Sequence, residues 1–221
     1  MTEQIQGNSV PKITLAPPVE GRVLLHSCCA PCTSAVLESI VSNGLDVTVF
    51  FSNSNIVPLP EYELRRDELA KYCDSLCVPW VDDEYNHEDW LLRVAAGREN
   101  APERGSRCME CFKYRLVRAA HYASEHGFAT LTTTLASSRW KSLEQVDEAG
   151  RYACALAGAD GSTPVIWWGM NWRKGGLQPR RNFLIRELGF YNQTFCGCEF
   201  SHVQPKEAPE NPSKETPAQQ I

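Results

Sequence analysis

Apolar residues fall in short runs separated by amphipathic stretches, an alternation that predicts an α/β fold built on a parallel sheet. Val23 to His26 is a strand-like run, and Ala35, Val36, Ile40 and Val41 then recur with a helical period. Asn43-Gly44 closes that helix, the glycine taking the left-handed cap conformation. Asp46-Val47-Thr48-Val49-Phe50-Phe51 is the next β-branched run, so strand, helix and strand make a right-handed βαβ unit. The helical period returns from Glu61 to Leu76 through Tyr62, Leu64, Leu69, Tyr72 and Cys73, with Arg65 and Arg66 on the polar side. Val78 to Val81 reads as a short strand, Trp90 to Ala96 as a short helix, and Phe112 to Ala120 as a helix with Lys113, Arg115 and Arg118 partly exposed. Leu131 to Leu135 is a strand, Leu143 to Leu156 a helix, Pro164 to Trp168 a final buried strand, and a last helix ends at Leu188. Residues 1–20 are expected to be a flexible lead-in, 21–202 a single domain, and 203–221, rich in Pro, Glu, Lys and Gln, a disordered tail.

At 221 residues and 43% hydrophobic, the chain can bury one sizeable core. Its ten cysteines would suit a disulfide framework in a secreted protein. The polar opening from Met1 to Asn8 does not read as a signal peptide, and no apolar run has bilayer length, so a cytoplasmic location and no membrane partner are expected. There, clustered cysteines are metal ligands or catalytic thiols more often than bridges. The net charge of -5 argues against a generally basic nucleic-acid binder, while leaving room for a local basic face.

Three thiols, Cys28, Cys29 and Cys32, stand within five residues at a strand-to-helix turn, where backbone N–H groups and the helix dipole favour thiolate. Cys108 and Cys111 form a second soft pair at a helix start, and Cys196-Gly197-Cys198 supplies a third, fitting metal ligation or a dithiol that cycles with a disulfide. These seven thiols exceed what one tetrahedral zinc uses; a cluster plus a second metal, or a cluster plus a redox dithiol, accounts for them. Cys73, Cys77 and Cys154 read as core packing. The acidic run Asp82 to Asp89 lacks calcium-loop spacing and reads as a solvated helix start capped by Asn86 or Asp89. Asn53 to Pro60 and Ser137 to Lys141 lie at the carboxyl ends of strands, where ligands bind in open α/β sheets. Asn171 to Arg181 is the most basic, glycine-bearing segment and suits a phosphate backbone or a stacked base.

The chain resembles the QueH-type epoxyqueuosine reductases. The resemblance rests on His26-x-Cys28-Cys29-Ala30-Pro31-Cys32, Asn53-x-Asn55-Ile56-x-Pro58, Glu61-Tyr62, Arg107-Cys108-x-x-Cys111-Phe112, Thr132-Thr133-Thr134-Leu135, Trp172-Arg173-Lys174-x-Gly176 and Tyr191-x-Gln193-x-x-Cys196-Gly197-Cys198, in the family's order. It implies a Rossmann-like fold resembling the adenine nucleotide α-hydrolases (HUP-like), with helical and loop segments completing a metal site. It also implies reduction of the epoxide of epoxyqueuosine to the alkene of queuosine at the wobble base of tRNA. By the same resemblance Cys28, Cys29, Cys108 and Cys111 are ligands of a [4Fe-4S] cluster. Cys32 helps hold a second iron or abuts Cys196 and Cys198, which are a redox-active disulfide or further iron ligands. Substrate contacts are expected at Asn53, Asn55, Arg65, Thr133, Lys141, Arg173 and Lys174, with His26, Lys141 or Arg173 as proton or charge donors. The implied partners are the aspartate, asparagine, histidine and tyrosine tRNAs and an electron donor. Gly176 to Arg181 departs from the family's shorter Gly-Gly-x-x-Arg-Ser run. Two other classes compete: a zinc-stapled RNA-binding module, and a thioredoxin-like thiol-disulfide oxidoreductase using Cys29-x-x-Cys32.

Overall fold

The computed structural model describes residues 9–159 and 163–201. The chain runs through β1 (Val23–Ser27), α1 (Ala30–Ser42), β2 (Val47–Phe51), α2 (Leu59–Ser75), β3 (Trp80–Asp82) and α3 (His87–Trp90), which continues as a π-helical turn, Leu91–Ala95. There follow α4 (Ser106–Glu125), β4 (Thr130–Thr133) with a 3₁₀ turn at Thr134–Ser137, α5 (Leu143–Ala157), β5 (Ile166–Trp167), α6 (Leu177–Leu188) and a 3₁₀ turn at Glu199–Ser201. The five strands form one all-parallel sheet in the order β3-β2-β1-β4-β5, a Rossmann-like arrangement.

β1 and β2 are mostly apolar because both of their faces are covered and every residue is buried, the polar exceptions being His26, Ser27 and Thr48. Right-handed crossovers put α1 and α2 on one face, where α1 also packs against α6; the reversal of direction after β3 sends α4 and α5 to the other face, packed on each other. That reversal sets β1 beside β4, with Val23 paired to Val47 on one side and Thr130 on the other. Their carboxyl ends therefore flank the crevice at which the strand order switches, the place where open α/β sheets bind ligands.

Local signals locate several boundaries. Gly44 is left-handed (φ 70°) and Asn86 Oδ1 accepts from the amide of Asp89 at 3.0 Å, capping α3 as expected. Other expectations change. The strand expected at Pro164 to Trp168 shrinks to Ile166–Trp167, because it is an edge with only β4 to pair with and Ile166 is exposed. Cys77 is not core: it is exposed, with φ 53°, and ends α2. α4 begins at Ser106, so Cys108 and Cys111 lie within it. The tail expected to be disordered and residues 1–8 of the lead-in lie outside the described residues; further along that lead-in, Asn43 bonds the Leu15 amide (2.9 Å) and the Ile13 carbonyl (3.0 Å). Among the described residues no helix is long and apolar enough to cross a membrane.

Candidate metal and redox site

The turn after β1 carries the first thiols. Cys29 is the N-cap of α1, with extended backbone, and Pro31 occupies the first turn, where its missing N–H costs no helical bond. Cys32 lies one turn in, and the first turn holds no carboxylate, so the positive end of the helix faces sulfur. The Sγ atoms of Cys28, Cys29 and Cys32 all lie within 4.8 Å of one another, with Cys28 and Cys29 3.8 Å apart. S–H groups of Cys29 and Cys32 directed at Cys28 hold its pKa well below the usual thiol range. Burial, and then the negative Cys28, push Cys29 well above it, and the hydrogen bond to Cys28 raises Cys32 to about 11. One thiolate shared by two thiols is a soft donor set able to hold a metal ion, with loss of the remaining protons on binding.

Neighbouring elements secure this turn. Thr134, just past β4, accepts from the Cys28 amide at 3.3 Å and lies 3.6 Å from its sulfur. Gln193, in the segment returning from α6, donates from Nε2 to Cys29 Sγ at 2.8 Å. His26 is fully buried between Thr133 Oγ1 (2.7 Å from Nδ1) and the Ser52 carbonyl (3.2 Å from Nε2). Because that carbonyl only accepts, Nε2 carries the proton and Nδ1 accepts from the threonine. Burial, reinforced by Arg115, lowers the His26 pKa to about 3, so it is a neutral strut at physiological pH.

The second and third thiol pairs stand around Lys141. Its Nζ donates to Cys196 Sγ at 3.4 Å. Burial pushes the Cys196 thiol up, but Lys141 and Arg115 outweigh it and hold the pKa below the usual value. Burial raises the thiols of Cys108 and Cys111, and the charge of Cys196 adds to both. Lys141 in turn feels Cys196, Cys28 and Cys111, so thiols from three distant segments lie within electrostatic reach of one ammonium. Cys108 Sγ accepts from the Arg104 amide at 3.3 Å, while Cys111 and Cys198 pack with Trp90 in a separate apolar cluster. Burial, then Cys111, raises Cys198 to about 12. The first turn of α4 also lacks carboxylates.

The other expected site residues are placed as follows. Asn53 donates to the Ser27 carbonyl at 2.9 Å and accepts from Arg115, tying the ends of β1 and β2 together. Asn55 is buried and its Oδ1 has no hydrogen-bond partner. Arg65, read as polar-face, is 2% exposed; it pairs with Glu61 at 2.5 Å and donates to the Cys196 carbonyl at 3.2 Å. Thr133 is engaged by His26, and Arg173 bonds the carbonyls of Ser138 and Lys141, holding their loop; Lys174 is exposed. Sequence reasoning missed Arg115, which it set on an exposed face: it is 2% exposed and donates to the Ser52 carbonyl at 3.0 Å. A helical period records polarity, and a guanidinium buried against carbonyl groups has no local signature. Gln193 stood in the motifs without a role.

Among the described residues, neither Arg115 nor Lys141 has a carboxylate within ion-pair distance. A buried and a half-buried cation without acids are costly unless the site supplies negative charge, and the groups that act on Lys141 with opposite charge are the sulfurs of Cys196, Cys28 and Cys111.

The family model "Epoxyqueuosine reductase QueH" matches residues 23–204. A protein of Histophilus somni named epoxyqueuosine reductase QueH is 41% identical over 191 residues, covering 86% of this chain and 76% of that protein. One of the same name from Acinetobacter baylyi is 39% identical, covering 87% and 86%, and one from Thermotoga maritima is 33% identical, covering 85% and 93%. The sheet, the thiol turn at its switch point and these likenesses agree, and the chain belongs to the epoxyqueuosine reductase QueH family.

Proposed function

We propose that this protein reduces epoxyqueuosine to queuosine at the wobble position of tRNA in the cytoplasm, using an iron–sulfur centre. The observation that carries the reading is the Cys28, Cys29 and Cys32 trio at the switch point of the sheet, with half-buried Lys141 donating to Cys196 at 3.4 Å and lying within electrostatic reach of Cys108 and Cys111, while among the described residues no carboxylate pairs with Lys141 or with buried Arg115. An all-sulfur donor set fits a cluster, and two uncompensated cations fit a centre of net negative charge. Cys28, Cys29, Cys108 and Cys111 are proposed to hold a [4Fe-4S] cluster. Cys32, beside Cys28 and Cys29, is proposed to serve a second iron, with Cys196 and Cys198 as its further ligands or as a redox-active pair.

When bound, a cluster supplies single electrons. The rest is the chain's work. Opening an epoxide to an alkene consumes two electrons and two protons and releases water. Lys141, held protonated against burial by Cys196 and Cys28, offers a proton or a charge-assisted hydrogen bond from Nζ to the departing oxygen. His26 is neutral and committed at both nitrogens, so it positions Thr133 and Ser52 rather than supplying protons. Asn55 Oδ1, buried and unpartnered, is a free acceptor for a substrate hydroxyl or ammonium. A wobble base lies in a single-stranded loop and can be splayed into such a crevice.

The test is anaerobic purification with iron and sulfide counted per chain, together with nucleoside analysis of tRNA from a deletion strain complemented with wild type, Cys28→Ala, Cys108→Ala or Cys154→Ala. Iron-loaded protein, queuosine restored by wild type and Cys154→Ala, and epoxyqueuosine retained with the other two are expected. Colourless protein holding only zinc, or queuosine restored by Cys28→Ala, overturns the reading.

A further inference from the structure

We infer that the loop Ser138 to Lys141 is a docking platform for a single-stranded RNA loop, with the Trp140 indole as the stacking surface and Arg104, Arg139 and Arg173 as its cationic frame. The inference rests on the proposed function for the identity of the partner as RNA. Trp140 is 64% exposed, and among the described residues it is the only exposed tryptophan. The Arg139 guanidinium lies 4.8 Å from its ring centroid. Arg104 donates from Nε to the Trp140 carbonyl at 2.9 Å, and Arg173 holds the Lys141 carbonyl at 2.6 Å as well as that of Ser138. The platform is therefore fastened from two directions while its ring stays in solvent.

The charge pattern selects the partner. Among the described residues none of Arg104, Arg139 and Arg173 has a carboxylate within ion-pair distance, in a chain whose net charge is -5. Arg104 also takes a left-handed backbone (φ 64°), with its carbonyl bonded by Gln145 at 2.8 Å. Exposed Arg139 beside the ring and exposed Arg104 on the Trp140 carbonyl, backed by half-buried Arg173 on the same loop, match alternating phosphates and bases: the exposed cations meet the backbone and the ring meets a base face. An acidic peptide would satisfy the arginines and leave the indole without a planar partner. The platform also adjoins the chemistry, because the residue after Trp140 is Lys141, whose ammonium points inward to Cys196 at 3.4 Å. A base stacked on Trp140 would hold its neighbour in the loop at the mouth of the thiol site.

The experiment is fluorescence anisotropy of the full chain with a labelled RNA hairpin carrying a single-stranded loop, a blunt RNA duplex and poly-glutamate, across a salt series. Wild type is expected to prefer the hairpin; Trp140→Ala weakens hairpin binding about tenfold and Trp140→Phe restores most of it, as base stacking on an aromatic predicts. The double variant Arg104→Gln, Arg139→Gln reduces the slope of log Kd against log salt by roughly one to two, the share of two phosphate contacts. Circular dichroism confirms that the variants are folded. If wild type binds the hairpin and Trp140→Ala binds it equally well, the platform is wrong and the proposed function stands. If wild type binds the hairpin no better than poly-glutamate, the platform is likewise wrong, and the proposed function is decided by the nucleoside analysis of tRNA.

Discussion

Gln193 and Cys29, 164 positions apart in the chain, meet through a 2.8 Å hydrogen bond from the side-chain amide to sulfur. The other amide atom, Oε1, is buried without a partner, so the side chain is oriented by the sulfur alone. Hydrogen bonds to a ligating thiolate stabilise the more negative state of a bound centre and raise its reduction potential. Gln193→Leu, similar in bulk, is expected to lower that potential and to cost about tenfold in metal affinity or activity. Spectroelectrochemical titration of the anaerobic protein checks it; an unmoved potential refutes the role.

Lys141→Met removes the cation that holds Cys196 below the usual thiol range. Burial then governs, and the thiol pKa rises. In metal-free, reduced protein with Cys28 and Cys108 replaced by alanine, the pH at which iodoacetamide labels Cys196 half-maximally is expected to move up by one unit or more, an effect of roughly 1.4 kcal/mol per unit. Lys141→Arg should move it far less.

His26 binds a proton in the unfolded chain near its ordinary value of 6.5 but in the folded chain only near 3, because burial and Arg115 oppose the charge. The folded pKa is the lower, so the contribution of this residue to stability is complete above pH 6.5 and is lost as pH falls toward 3. Across that window urea unfolding should weaken by about 1.4 kcal/mol per pH unit from this group. In His26→Gln the slope should be shallower, even though the variant is less stable at pH 7.

Gly197 has φ 102°, and a Cβ there would stand 2.9 Å from Ile56 Cγ1 and 3.2 Å from the guanidinium of Arg65. Both the backbone and the contact reject a side chain. Gly197→Ala is expected to destabilise by about 1–3 kcal/mol and to displace Cys196 and Cys198 together. Thermal unfolding reads the first effect. A drop in bound metal reads the second.

Cys77 carries φ 53° at the residue after the C-cap of α2, where a non-glycine residue pays a steric penalty. It is exposed, so little packing is lost on truncation. Cys77→Gly is expected to stabilise the fold or leave it unchanged, within about 1 kcal/mol. It should not alter metal content. A large loss of stability would show that the thiol packs as the sequence pattern first implied.

The strands, the helices and the chemical character of the site were legible locally. The apolar runs of β1 and β2 read as doubly covered strands, Asn43-Gly44 and Asn86 act on their own helix ends, and thiols at strand-to-helix turns announce soft-ligand chemistry through their immediate neighbours. What tertiary structure alone decided is which of those groups meet. The reversal of strand order after β3 brings the end of β4 to the end of β1, so that Thr134 touches Cys28, and the return from α6 lays Gln193 on Cys29 and Cys196 on Lys141. Arg65 and Arg115 looked like surface charges because periodicity counts polarity, whereas their burial depends on carbonyl groups contributed by segments 131 and 63 residues away. Contacts over such separations are set by packing and chain path, and no window of sequence contains them.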